Sequence, residues 1–382
     1  MKILLINYEY PPIGAGAANA TQQIARQLAA QKHEVIVLTA GFGHLQGLAS
    51  EDGVWVYRVK SERKLAYQSN KREMISFVWK AFLSMDAVVS QFKPQVAIVF
   101  FSIPCGPLGW WAKLRYKIPY IVSLRGGDIP GNDPNLINIH RKIQFIRRLI
   151  LRKSMAVVAN SAMAAEMAIK AEQMPVLSIP NGVDTRFFAF TQVQVPYLQI
   201  LYVGRLAPEK NVMALLEVFS RLIKNLPIMS DFQLILVGDG PERETLERYC
   251  EENELSQLVQ FKGWVNKNEL RKLYQESWCM VNPSFNEGMP NAVLEAMSCG
   301  LPVIASQVVG NADIITHRQN GMLFKLDNSE ALFTSLLEIL MDMGLRAKLG
   351  ANARKHIEQN FSWEITVRSY LQLIEQQGKL YS

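Results

Sequence analysis

This sequence has little of what marks secreted, metal-binding or membrane-embedded chains. Its four cysteines, Cys105, Cys250, Cys279 and Cys299, are scattered. They form neither a disulfide framework nor a set with metal-ligand spacing, and they predict reduced core thiols in a cytosolic protein. No run of about 18 apolar residues occurs, which excludes a membrane-spanning helix. The opening, Met1 to Tyr10, turns polar too soon for a signal peptide and reads as a first β-strand. There is no Asp-x-Asp pair to hold a metal ion against a diphosphate, and there are no repeats or low-complexity tracts.

What is present is apolar and alternating. Hydrophobic residues make up 49% of 382, enough for two domains with separate cores. Strands are predicted at Lys2–Asn7, Glu34–Thr39, Val54–Val59, Gln95–Phe101, Tyr120–Leu124 and Met155–Ala159. Between them lie helices, including Ala20–Lys32 and Ile75–Gln91. The second half repeats the scheme, with strands near Ile200, Leu234, Val259, Met280 and Val303. Such alternation predicts an α/β protein with parallel sheets in Rossmann-like domains. Three helices, Ser329–Leu340, Leu345–Gln359 and Trp363–Gln376, close the chain without strands between them.

The chain is basic, +7 overall, but unevenly so. Residues 1–190 hold 23 Lys and Arg against 12 acids, while residues 191–382 hold 18 against 22. Cations concentrate in 140–153, where Ile143, Ile146 and Ile150 recur at helical spacing. A basic amphipathic helix predicts contact with an anionic membrane through Arg141, Arg147, Arg148 and Arg152. A core-packed helix with a solvated cationic face is the other reading. No nucleic-acid module is visible, so nucleic acid is not an expected partner.

Two carboxylates stand out. Glu287 lies in a Pro/Gly loop, Pro283 to Pro290, and Glu295 lies in the apolar segment after it. Pro290 fits the first position of a helix. That helix would aim its free N–H groups and positive dipole end back at the loop, a seat for phosphate. Carboxylates on either side suit hydroxyl groups, and an anion joined to a polyol describes a nucleotide sugar. Upstream, the apolar run Ile200–Val203 reads as a buried strand ended by Gly204, after which Arg205 and Lys210 project from its carboxyl-side loop. Ligands bind at such edges of open parallel sheets, and both cations suit phosphate.

With these motifs in view, the chain resembles the retaining glycosyltransferases of family 4, which have the two-domain GT-B fold. The resemblance rests on Gly204-Arg205…Lys210, on 237–241 around Gly238, on Phe261-Lys-Gly263-Trp264 with Val265, on Glu287…Glu295 and on 296–304. Asn181-Gly-Val-Asp184 matches the domain junction, and Pro11-Pro-Ile-Gly14-Ala-Gly16 resembles the glycine loop after the first strand. The family implies two Rossmann-like domains facing each other across a cleft. An acceptor domain would span 1–185 and a nucleotide-sugar domain 191–360, with Asn181–Gln194 as the crossing and the final helix, about 363–382, packing back onto the first domain.

The implied donor site comprises Gly14, Gly16, Gly204, Arg205, Lys210, Gly238, Gly263, Trp264, Val265, Glu287, Gly288, Met289, Pro290, Asn291 and Glu295. Arg205, Lys210 and the N–H groups of 288–290 would stabilise the departing diphosphate. Glu295 would hold ribose hydroxyls, and Glu287 would hold those of the sugar. The implied chemistry is retaining and metal-independent, with a nucleoside-diphosphate sugar as substrate and no cofactor. Where relatives carry a His-Gly-x-Asp stretch, this chain reads Arg125-Gly-Gly-Asp128, and none of its five histidines takes a comparable place. Arg125 is a candidate for a phosphate of donor or acceptor, and Asp128 for orienting or deprotonating an acceptor hydroxyl. The basic first half suggests a lipid-linked acceptor in bacterial surface polysaccharide, O-antigen, exopolysaccharide or glycolipid assembly, at the inner face of the cytoplasmic membrane. A nucleotide-sugar epimerase of the same general fold and a transferase for a small soluble acceptor remain open. A nicotinamide dehydrogenase is disfavoured, because Asn19 replaces the third fingerprint glycine and the second strand ends in Thr39 rather than an acid.

Overall fold

The computed structural model describes residues 1–381 other than 15, 64, 66–68, 132–135, 192–197 and 226–230. Part of the predicted crossing, residues 192–194, therefore lies outside the described residues. The chain forms two compact units, Met1–Asn181 with Trp363–Ser382, and Gly182–Ser362. No described helix is long and apolar enough to cross a membrane.

The first unit runs β1 (Lys2–Ile6), α1 (Gly16–Ala30), β2 (Glu34–Ala40), β3 (Gly47–Glu51), β4 (Val54–Val59), α2 (Lys71–Phe92), β5 (Val96–Phe100), α3 (Gly106–Tyr116), β6 (Tyr120–Leu124), α4 (Ile137–Lys153), β7 (Ala156–Ala159), α5 (Ala162–Glu172) and β8 (Leu177–Ser178). Its sheet has the order β3-β4-β2-β1-β5-β6-β7-β8, parallel except for β3 on β4. Strand side chains alternate between faces. Leu4 and Ile6 join the core under α2, α3 and α4, while Ile3 and Leu5 join the core under α1 and the last helix.

The second unit runs β9 (Leu198–Val203), α6 (Val212–Asn225), β10 (Phe232–Val237), α7 (Arg243–Glu252), β11 (Val259–Gly263), α8 (Lys267–Glu276), β12 (Cys279–Asn282), α9 (Asn291–Ser298), β13 (Val303–Ser306), α10 (Val309–Ala312), β14 (Met322–Phe324), α11 (Ser329–Met341) and α12 (Met343–Asn360). Helix α13 (Trp363–Tyr381) belongs to the first unit, where Trp363, Val367 and Tyr370 pack with Ile24 and Leu28 of α1. The second sheet is parallel throughout, in the order β11-β10-β9-β12-β13-β14. In each sheet the chain builds outward from one central strand, then returns to its other side. This places a topological switch point between β1 and β5, and another between β9 and β12.

Four local differences from the sequence reading have plain causes. Helix α2 starts at Lys71, not Ile75, because Asn70 and Glu73 form a reciprocal capping box. Helix α1 starts at Gly16, not Ala20; Gly14, at φ +90, makes the turn and the alanine-rich stretch then coils at once. Strand β3 escaped notice because it is an exposed antiparallel edge without apolar alternation. Pro290 is the residue before α9 rather than its first, with extended backbone (ψ 93).

Candidate active site

The switch point of the second unit is built from two loops. One follows β9, from Gly204 to Asn211, and the other follows β12, from Pro283 to Pro290. Pairing of β9 with β12 covers only Cys279 and Met280, so the two chains leave the sheet as separate loops. They are then stitched together. Phe285 N donates to Glu209 O (2.9 Å), and Asn211 Nδ2 donates to Pro283 O (3.2 Å).

Between these ties sits an ion pair. Lys210 Nζ lies 2.7 Å from Glu287 Oε1. The same oxygen accepts from Ser284 Oγ (2.7 Å) and Asn282 Nδ2 (3.3 Å). Glu287 is buried and Lys210 is partly exposed. The sequence suggested separate tasks for the two residues; the fold makes them one unit. Three donors pin the carboxylate while its Oε2 carries no hydrogen bond among the described residues. The ammonium is anchored by one of its three protons. Arg205 lies exposed on the same loop, with its carbonyl accepting from Tyr202 Oη (2.9 Å) and its guanidinium free of protein partners among the described residues.

Helix α9 opens onto these groups. The N–H groups of Gly288, Met289, Asn291 and Ala292 have no acceptor among the described residues, whereas Val293 N already bonds Pro290 O (3.0 Å). Pro290 has no N–H, so it drops out of the expected donor set and Asn291 and Ala292 take its place. The helix dipole adds positive potential at the same point.

One turn further in, Glu295 Oε2 accepts from Tyr274 Oη (3.0 Å), and Oε1 is left open. Burial pushes the Glu295 carboxyl up to about 7, against the opposing pull of the Tyr274 bond. A charged carboxylate binds hydroxyls better than a neutral one. If Glu295 holds the ribose, nucleoside-diphosphate affinity should fall as pH drops from about 8 to 6, as the group protonates. Calorimetric titrations at both pH values check this, and Glu295→Gln should flatten the profile; an unchanged wild-type affinity would remove the role.

The remaining predicted residues of this unit sit on the same carboxyl edge. Gly238, at φ +124, approaches so closely that a Cβ there would lie 2.0 Å from Gly204 O. Gly238 N donates to Gly263 O (2.8 Å), tying the end of β10 to that of β11. Trp264 follows, 81% exposed, while Val265 and Met289 pack against the core below.

In the first unit, Gly14 and Gly16 lie after β1. A Cβ at Gly14 would lie 2.8 Å from Glu9 Oε2, and Glu9 pairs with Arg63 (3.2 Å). That neutral pair suits hydroxyl groups better than a diphosphate. Asp128 is buried, with Oδ2 accepting from Ser102 N (2.6 Å) and Oδ1 from Arg125 N (2.8 Å). Burial raises its pKa against those bonds. The carboxylate thus braces the loops after β5 and β6, each of its oxygens accepting a backbone N–H. The Arg125 guanidinium does not meet Asp128. It lies over the Phe100 ring (4.7 Å) and donates to Asn181 Oδ1 (2.6 Å), and burial lowers its pKa.

Two residues of the expected membrane face are also reassigned. Arg147 is buried and donates to Glu172 (2.6 Å), and Arg148 donates to the other oxygen of Glu172 (3.2 Å). Both guanidiniums share one buried carboxylate on α5, Arg147 from the interior and Arg148 from a partly exposed position. Arg141 and Arg152 remain exposed on α4.

The sequence reading missed Asn282, Ser284, Tyr274 and Gly310. Ser284 lies inside the recognised motif, and its role shows only from its distance to Glu287. Gly310, the second residue of the short α10, lies against the Glu287 loop, where a Cβ would lie 2.4 Å from Glu287 O. Nothing local to 308–312 announces that contact.

Two Rossmann-like units with parallel sheets, one carrying cations and open N–H groups at its switch point, have the architecture of the GT-B fold. A family model described as Glycosyltransferase Family 4 matches residues 14–187, and one described as Glycosyl transferases group 1 matches residues 184–356. The chain belongs to the GT-B glycosyltransferases of family 4. It is 24% identical over 375 residues to N-acetyl-alpha-D-glucosaminyl L-malate synthase of Bacillus anthracis, covering 94% of this chain and 93% of that protein. It is 30% identical over 203 residues to the UDP-Gal:alpha-D-GlcNAc-diphosphoundecaprenol alpha-1,3-galactosyltransferase of Escherichia coli, about half of each chain. Its fold matches sucrose-phosphate synthase from Thermosynechococcus elongatus with a TM-score of 0.81 at 20% identity over the full length of both.

Proposed function

We propose that this glycosyltransferase moves a sugar from a nucleoside-diphosphate donor to a hydroxyl of a lipid-linked acceptor, with retention and without a metal ion, in bacterial surface polysaccharide or glycolipid assembly. The observation that carries the proposal is the Lys210–Glu287 pair on loops stitched together at the switch point, beside Arg205 and the open N–H groups of α9. In this reading Arg205, Lys210 and those N–H groups take the negative charge that grows on the diphosphate as the anomeric C–O bond breaks. Cations already in place do what a metal would do elsewhere. Glu287 Oε2 holds a sugar hydroxyl and Glu295 holds the ribose. The acceptor hydroxyl attacks on the face the diphosphate leaves, and its proton passes to the departing phosphate oxygen. The names of the Bacillus and Escherichia relatives support transfer to an acid-bearing or lipid-diphosphate acceptor, and the latter's name supports a uridine donor. Incubation with nucleotide sugars and a bacterial lipid extract in EDTA tests the proposal. Transfer with retained anomeric configuration, read by NMR, is expected. Abolition by EDTA removes metal independence, and an inverted product removes retention.

The first unit presents a surface suited to such an acceptor. On α2, Ile75, Trp79 and Leu83 form an exposed stripe at i, i+4 and i+8, with Trp79 62% exposed. On α4, Phe145 and Ile146 are exposed beside Arg141, Lys142 and Arg152. Apolar side chains set among cations fit an anionic bilayer surface. Charge reversal at Arg141, Lys142 and Arg152 should weaken co-sedimentation with anionic liposomes at low salt, whereas unchanged sedimentation would exclude this face.

A further inference from the structure

A cavity of about 680 Å³ lies wholly within the first unit. Its inner end is made by the loops after β1, β5 and β6, through Tyr8, Ser102 and Asp128. This is the carboxyl edge at that unit's own switch point, where ligands of open α/β sheets bind. Its walls come from α2 and α4, chiefly Met74, Ile75, Ile139 and Ile143. The burial gradient orients it. Asp128 and His140 at the floor are buried, whereas Ile75 at the mouth is 69% exposed.

Asp128 and His140, the ionisable groups of the floor with Arg147 beside them, are already satisfied internally. Arg147 Nη1 donates to His140 Nδ1 (3.1 Å), which makes Nδ1 an acceptor and puts the ring proton on Nε2, facing Gly127 O (3.2 Å). Burial, then the Arg147 charge, lowers the His140 pKa and keeps the ring neutral. The walls offer almost no donors or acceptors, so a sugar placed against them would leave its hydroxyls unpaired. A hydrocarbon chain has no such cost, and the volume falls within the usual range of roughly 300–1,000 Å³ for small-molecule sites.

We propose that this cavity takes the hydrocarbon chain of an amphiphilic, anionic acceptor. Two features name the occupant. Ile75 at the mouth is also the first residue of the exposed Ile75–Trp79–Leu83 stripe, so the apolar lining continues without a break onto the outer surface. Exposed cations, Lys71 and Arg72 on α2 and Arg141 and Lys142 on α4, flank the wall residues and match a negative charge on the lipid. The proposal rests on the lipid-acceptor reading above and adds where the acceptor's hydrocarbon chain is held and that its head carries negative charge.

The test uses the full chain with octyl, decyl and dodecyl phosphate, each below its micellar concentration, and UDP as an independent probe of the second unit. Affinity should rise by about fourfold per added methylene, as hydrocarbon transfer from water predicts, and dodecyl phosphate should bind tighter than uncharged dodecanol. Met74→Trp and Ile143→Trp, which fill the cavity, should abolish the chain-length dependence while UDP affinity and Tm hold. Affinity independent of chain length, equal binding of phosphate and alcohol, or dependence that survives in both variants overturns the proposal. Failure of the wild-type protein to bind UDP would count against the uridine donor of the proposed function instead, whatever the alkyl series shows.

Discussion

Lys210→Ala and Glu287→Ala are each expected to lower kcat by about 100-fold or more, because each removes a group fixed before the reaction starts. A single oriented donor at a developing anion contributes about 2.7–4 kcal/mol. Lys210 supplies such a donor, and it is held in place by the 2.7 Å contact with Glu287. Without the carboxylate, the ammonium keeps its charge and loses its position. Without the ammonium, a buried carboxylate retains only Ser284 and Asn282 as partners. The two losses should therefore not add. The double variant should be little worse than the more damaged single variant, as for residues that act as one unit. Because the interactions strengthen toward the transition state, kcat should fall more than KM rises. Near-normal turnover in either single variant, or strictly multiplicative losses, would show that the pair is not part of the transfer machinery.

Gly310→Ala should be almost as damaging, although Gly310 touches no proposed substrate. An added Cβ would lie 2.4 Å from Glu287 O, 2.7 Å from its carbonyl carbon and 2.8 Å from Gly288 O. All three are backbone atoms, so no flexible side chain can yield. Nor can α10 retreat, because Asn311 Nδ2 is bound to Ser306 O (2.9 Å). The Glu287–Gly288 segment must move by something near an ångström, and misplacement on that scale costs about 100-fold in rate. Gly288→Ala is the contrasting case. A Cβ there meets nothing within 4 Å, and the N–H is kept, so activity should stay within a few-fold of wild type. Steady-state kinetics and Tm on both variants check the pair. If Gly310→Ala is fully active, the loop does not need its position.

Much of this was legible in the residues themselves, for stated reasons. The inner strands of both sheets announced themselves because buried parallel strands are continuous apolar runs such as Ile3–Ile6 and Leu234–Val237, whereas the short or exposed edge strands β3, β8 and β14 did not. Glu287, Arg205 and Lys210 were found because Gly and Pro mark the loops they sit in, and Glu295 because Pro290 marks the start of the helix that carries it. The capping box that moved the start of α2 was also readable, in Asn70 and Glu73 three residues apart. Other features were not readable. Glu172 is 25 residues from Arg147, so a cation that looked available on an amphipathic helix turned out to be a buried partner. Tyr274 reaches Glu295 across 21 residues, and that bond opposes the burial that lifts the carboxyl to about 7.

By itself the chain determined its class and the contents of its loops. Apolar period and turn residues are local properties, and they fix where strands end and what stands just after them. Only the tertiary structure decided which loops lie together, and so which charges are spent on each other and which stay open to a ligand. Coulomb attraction and hydrogen bonding depend on distances of a few ångströms. Those distances, between Lys210 and Glu287 or between Gly310 and the loop it supports, are set by the order of strands in a sheet and not by the order of residues in a chain.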